Sequence, residues 1–142
     1  MAGRREVRRH LRMASGIMAT AVIRDYSNEF EIRNALSRSY YALFHVCHAW
    51  LAMQNVPSNR RKQHETLIRE IRVRKGKESG DRLDGFRVLR KRADYDEPEF
   101  FEATPFGGDL DKFRLSAMRD QDRMTAEFDS YVSELESLSG SR

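Results

Sequence analysis

Apolar residues return every three or four positions along most of this chain, and the five stretches where they do so predict five helices. In the first, Val7, Leu11, Ala14, Met18 and Ala21 share one face, giving a helix from about Arg4 to Arg24. Tyr26, Ser27 and Asn28 form a short link, with Ser27 or Asn28 as the N-cap of a second helix over about 29–54. That helix ends before Asn55-Val56-Pro57-Ser58, because the residue ahead of a proline is pushed out of the helical region. A third helix, capped by Ser58 or Asn59, runs to about Lys75 on Leu67, Ile68, Ile71 and Val73, and GKESG at 76–80 reads as a turn. The fourth spans about Asp81 to Tyr95, with Leu83, Phe86, Leu89 and Ala93 inward. Residues 96–109 hold two prolines and a Gly-Gly pair and read as a loop whose Phe100, Phe101 and Phe106 dock on the body. The fifth helix, about 110–138, turns Phe113, Ala117, Met124, Phe128, Tyr131, Leu135 and Leu138 to one side, and the tail 139–142 frays. No strand pattern of period two and no internal repeat interrupts this series. The expected fold is therefore all-α: one domain over 1–142, an antiparallel bundle of four to five helices.

The second helix differs from the rest. Ile32, Leu36, Tyr40, Leu43, Cys47 and Trp50 make a core stripe, and beside it Arg38, Tyr41, His45 and His48 fall at steps of three, four and three. Almost no charge stands between Arg38 and Pro57. The second face is therefore expected to be covered too, by another helix or by a second copy of the chain, which points to a homodimer. Arg and His on a mostly covered face must be paired or used.

Composition narrows the class. A single cysteine, Cys47, excludes a disulfide framework and a cysteine-rich zinc site, so a cytoplasmic protein is expected. No stretch is apolar enough to serve as a signal peptide or a membrane span. The net charge of +4 hides an asymmetry. Residues 1–24 carry six arginines against Glu6, and residues 59–77 carry eight Lys or Arg against Glu65 and Glu70. Residues 96–142 carry twelve acids against five bases. The two basic segments suit phosphate binding, or form solvated faces balanced by the acidic fifth helix.

No glycine-rich phosphate loop, HExxH, paired-cysteine motif or GxSxG is present, so no metal and no cofactor are expected. Arg38 and His45 lie within about 20° of one helical face and about 10.5 Å apart along the axis. A substrate phosphate fits between them, or each meets the other's twin across a two-fold axis. A neutral His can accept a proton from a ribose 2′-OH, and an Arg can stabilise a pentacoordinate phosphate. The competing arrangement pairs Arg38 with Asp94 while His45 packs. Asp94 sits electrostatically wrong near a helix C-terminus and calls for an Arg, with Arg38 or Arg92 the candidates. Arg60, Arg61, Lys62 and His64 are candidates for holding a phosphate at the start of helix three.

Three motifs in order resemble those of the HEPN family. NALSRSYYALFHVCHAWL (34–51) is similar to its helix signature "NRAYYAMFHAARALL", sharing Arg38, Tyr40, Tyr41, Ala42 and Phe44. KQHETLI (62–68) is similar to "SKHSGVI", and RKRADYD (90–96) to "RxxADY", which draws in Arg92, Asp94 and Tyr95. The resemblance covers roughly 3–138. It implies a small, dimeric helical bundle, often the toxin partner of a minimal nucleotidyltransferase. Active HEPN ribonucleases carry an Arg followed, after four to six residues, by a His; Arg38 and His45 have six between them. The resemblance thus implies a metal-independent endoribonuclease with His45 as base or acid and Arg38 as charge stabiliser. Alternatively it implies a non-catalytic module that binds a nucleotide or the nucleotidyltransferase, with Tyr41, Arg92, Asp94 and Tyr95 structural.

Overall fold

The computed structural model describes residues 3–21, 29–95 and 110–140. The helices are α1 (Gly3–Thr20), α2 (Glu29–Met53), α3 (His64–Arg74), α4 (Lys77–Tyr95) and α5 (Leu110–Gly140), with one 3-10 turn at Ser58–Arg60. The fold is an all-α bundle, with no strand among the described residues. The proposed caps Ser27 and Asn28 and the aromatic loop residues Phe100, Phe101 and Phe106 lie outside the described residues.

α2 is the central helix, packed against α1, α3, α4 and α5. Its predicted stripe is fully interior: Ile32, Leu36, Tyr40, Leu43, Cys47 and Trp50 are all buried. Ala35, Ala42, Val46 and Ala49 are buried on the remaining sides, and their small side chains let neighbouring helices approach. The missing charge between Arg38 and Pro57 is thus explained within one chain, with α1 covering the second face.

Contacts set the directions. Thr20 meets Arg38 and His10 meets His45 and His48, so α1 runs antiparallel to α2. α4 also opposes α2, since Arg90 reaches Tyr41 while Arg82 pairs with Glu127 near the other end. α5 runs with α2, Gln121 beside Ser39 and Tyr131 beside Trp50. α3 does too, with His64 on Tyr40 and Lys75 over Trp50, because the 54–63 link carries the chain back along the body before α3 begins. Gln121 Nε2 donates to Ser39 Oγ and to the Ala21 carbonyl, joining α5, α2 and the end of α1.

Two expected boundaries move. α3 is capped at Gln63 and starts at His64, not capped at Ser58 or Asn59, because Pro57 leads into the 3-10 turn and Gln63 is extended. The turn expected over GKESG shrinks to Gly76 alone, at φ 127°, with the N–H groups of Lys75 and Gly76 both donating to the Ile71 carbonyl. Lys77 to Gly80 already belong to α4, and Gly80 lies against Arg72 of α3. Two residues assigned inward, Val73 and Leu138, are exposed.

Candidate functional site

The chain has four histidines, and they gather on one strip of α2. Phe44 is the floor, with ring centroids 4.3 Å from His64, 4.5 Å from His48 and 5.8 Å from His45. His10 of α1 stacks on His48 at 5.0 Å and 13°, and on His45 at 6.0 Å and 23°. Helical spacing places Tyr41, Phe44, His45 and His48 on one side of α2. α1 flanks that strip on the His45 side, and the start of α3 with the end of α4 flanks it on the Tyr40 side.

Burial keeps these rings neutral. It pushes His48 down to about 3, and the Arg61 guanidinium, with His10 whenever that ring is protonated, works the same way. His64 is pushed down to about 4, by burial first and then by Arg90, Arg87 and Lys91. His10 and His45 are lowered from the ordinary range, again chiefly by burial. Near-parallel stacking sends the ring lone pairs out in separate planes, so these imidazoles do not converge on a point as metal ligands must. Among the described residues no group of three His, Cys, Asp or Glu converges in that way.

One guanidinium organises the lower end. Arg61 is buried and spreads three donations: Nε to the Val56 carbonyl at 3.1 Å, Nη1 to His48 Nδ1 at 3.2 Å, and Nη2 to Glu6. Because Arg61 can only donate, His48 Nδ1 is an acceptor and its proton sits on Nε2. The Arg61 hydrogen bond in turn holds the Glu6 carboxyl below the usual carboxylate range. At the upper end Tyr40 Oη and His64 Nδ1 are 2.8 Å apart. Arg90 Nη1 donates to Tyr41 Oη at 3.3 Å and to Asp94 at 3.1 Å.

The expected site residues separate into those the strip includes and those it leaves out. His45 lies on it, half-buried against His10, and Tyr41 is 37% exposed. Arg38 is exposed and donates from Nη2 to Thr20 Oγ1 at 2.7 Å, on the same side of α2 as His45 but against a different level of α1. The expected Arg38–Asp94 pair is absent: Asp94 takes Arg90, four residues back on its own helix, and Arg92 is likewise not the partner in that pair. Arg61 is removed from the phosphate-binding set, because its donors are spent inside the fold. Arg60 and Lys62 are exposed, and His64 is partly buried against Tyr40. Arg92 is half-buried and lines a small cavity between α4 and α5. Tyr95 is the last residue of α4, and its side chain lies outside the described residues.

The sequence reading missed His10, Glu6, Arg87 and Arg90. His10 follows Val7 by three and precedes Ala14 by four, so it was readable as part of the inward stripe of α1. Arg90 continues Leu83 and Phe86 in the same way. Compared with known proteins, the chain matches no family model, no curated protein and no solved structure.

Proposed function

We propose that this chain is a HEPN-like protein that acts on RNA, as a metal-independent endoribonuclease with His45 as general base and Arg38 as charge stabiliser. The observation that carries the reading is the state of His45. Burial lowers its imidazole from the ordinary range toward the neutral form, yet it stays partly exposed and shares a flank of α2 with the exposed Arg38. In the reaction His45 takes the proton of a ribose 2′-OH, and the 2′-oxygen bonds to the adjacent phosphorus. The bond to the 5′-oxygen then breaks, leaving a 2′,3′-cyclic phosphate, and the departing oxygen takes up a proton. Arg38 compensates the charge on the phosphorane oxygens. Its hydrogen bond to Thr20 is on the surface, where exchange for a phosphate oxygen costs little. Exposed Arg60 and Lys62 supply backbone contacts. The proposal includes a cytoplasmic setting. A homodimer would pair through the exposed start of α2, where Phe30 is 62% exposed beside exposed Glu31 and Asn34, leaving Tyr41 and His45 to the RNA.

A second reading is a non-catalytic module that binds a nucleotide or a minimal nucleotidyltransferase. It is favoured by the separate anchoring of Arg38 on Thr20 and of His45 on His10. The deciding experiment is incubation of wild-type protein with varied RNAs in EDTA, with product ends analysed. Cleavage to 2′,3′-cyclic phosphates, slowed roughly 10²-fold or more in His45→Ala and in Arg38→Ala, supports the ribonuclease. Wild-type protein that is inert toward RNA yet binds a nucleotidyltransferase tightly supports the module.

A further inference from the structure

We infer that Tyr41 and the basic edge of α4, formed by Arg87, Arg90 and Lys91, are a docking subsite for single-stranded RNA beside His45. The inference rests on the RNA-acting reading and names the form of RNA and the residues that seat it. Tyr41 stands four residues before His45, so it lies one turn away, about 6 Å along the same side of α2. Its side chain is 37% exposed, where the neighbouring Tyr40 and Phe44 are buried. Its ring is not loose. The Arg90 guanidinium lies 5.3 Å from its centroid and donates to its hydroxyl at 3.3 Å, and Tyr40 and His64 meet it edge-on. A ring fixed in this way is a preorganised stacking platform.

The surroundings are cationic. Arg90 lies against Tyr41, Arg87 reaches Glu65 beside His64, and Lys91 follows Arg90 on α4. Arg90 is buried, with its donors on Tyr41 and Asp94, and Arg87 is largely covered with Glu65 a loose 3.6 Å away, so these two lend a positive field and Lys91 is the exposed cation that meets a phosphate. An exposed aromatic beside an exposed cation takes a base on its ring and the adjoining phosphate on the charge, and only an unpaired strand offers a base face. A strand seated there lies between Arg38, about one turn before Tyr41, and His45, about one turn after it.

Binding is measured by fluorescence anisotropy of a labelled oligouridylate in EDTA, on the His45→Ala background so that cleavage plays no part. Tyr41→Ala should weaken binding roughly 10-fold or more, and Tyr41→Phe should retain most of the affinity. Lys91→Gln should weaken binding a few-fold and lower the slope of log affinity against log salt by about 0.7. If Tyr41→Ala fails to fold by circular dichroism, the surface change Lys91→Gln decides alone. Wild-type affinity in Lys91→Gln and any folded Tyr41→Ala, a duplex binding as tightly as the single strand, or no binding at all, overturns the inference. Single-strand binding with this pattern in a protein that cleaves nothing keeps the subsite and removes the nuclease. Cleavage with binding indifferent to Tyr41 and Lys91 does the reverse.

Discussion

Arg61 Nη1 stands 3.2 Å from His48 Nδ1, and this hydrogen bond exists only while the imidazole is neutral. The same guanidinium holds Glu6 of α1 and the Val56 carbonyl, so one side chain from the α2–α3 link fastens three parts of the chain.

Arg61→Ala should therefore cost roughly 3 kcal/mol of stability. That is the low end for breaking a buried pair, because Glu6 is left near water rather than sealed in. Arg61→Lys should recover little of it, since an ammonium lacks the planar fork that serves three acceptors at once. Urea unfolding of the three proteins measures this, and a lysine variant as stable as wild type would contradict the fork.

The histidine cluster should make stability fall on mild acidification. At pH 7 the imidazoles are neutral in both folded and unfolded chains. Below about 6.5 the unfolded chain takes up protons. His48, held down to about 3, and His64, held down to about 4, do not take them up in the folded state. The unfolded state then binds more protons, so stability rises with pH across the window from about 4 to 6.5. His48 alone contributes up to about 1.4 kcal/mol per pH unit there, and the more exposed His10, His45 and His64 add less. The urea midpoint should drop clearly from pH 7 to pH 5; a flat profile would show that the rings are not held neutral.

Two glycines of α4 should respond oppositely to alanine. A Cβ on Gly85 meets nothing within 4 Å, so Gly85→Ala should stabilise by about 0.5–1 kcal/mol through helix propensity. A Cβ on Gly80 would overlap the Arg72 side chain and stand 3.1 Å from its Cα. Moving backbone costs about 1–3 kcal/mol, which exceeds the propensity gain, so Gly80→Ala should destabilise. Thermal midpoints moving the same way for both would refute the close approach of α3 and α4.

Cys47 is fully buried, and burial pushes its thiol up to about 12. The native protein should thus resist a thiol reagent at pH 8 and react promptly once unfolded in urea. Rapid labelling under native conditions would mean that α2 and α5 separate readily.

The bundle was legible because α2 repeats its apolar residues without a break, and all six stripe positions are buried. The α3–α4 turn was misplaced because Gly76 and Gly80 look alike in sequence. One is needed for its positive φ and the other for closeness to Arg72, and only packing separates those uses. Asp94 was assigned across helices although Arg90, four residues earlier, was the simpler partner. The candidate site was half visible. His45, His48 and Tyr41 were placed by helical spacing, but Arg61 was read with Arg60 and Lys62 as one basic run. A 3-10 turn ending at Arg60 breaks the helical register, so neighbours in that run part company: Arg61 turns inward while Arg60 and Lys62 face water.

The central position of α2 also governs how the chain is made. When Met53 leaves the ribosome, α3, α4 and α5 have not yet emerged to cover an element that is apolar on nearly every side. The surface around Cys47 and Trp50 waits for Met124, Tyr131 and Leu135 of α5. At translation speeds of about 5–20 residues per second, that interval lasts roughly 4–17 s. Nascent chains that have not yet reached Leu110 carry a sticky helix, so folding yield in the cell depends on the pace of synthesis and on chaperones as well as on the finished protein's stability.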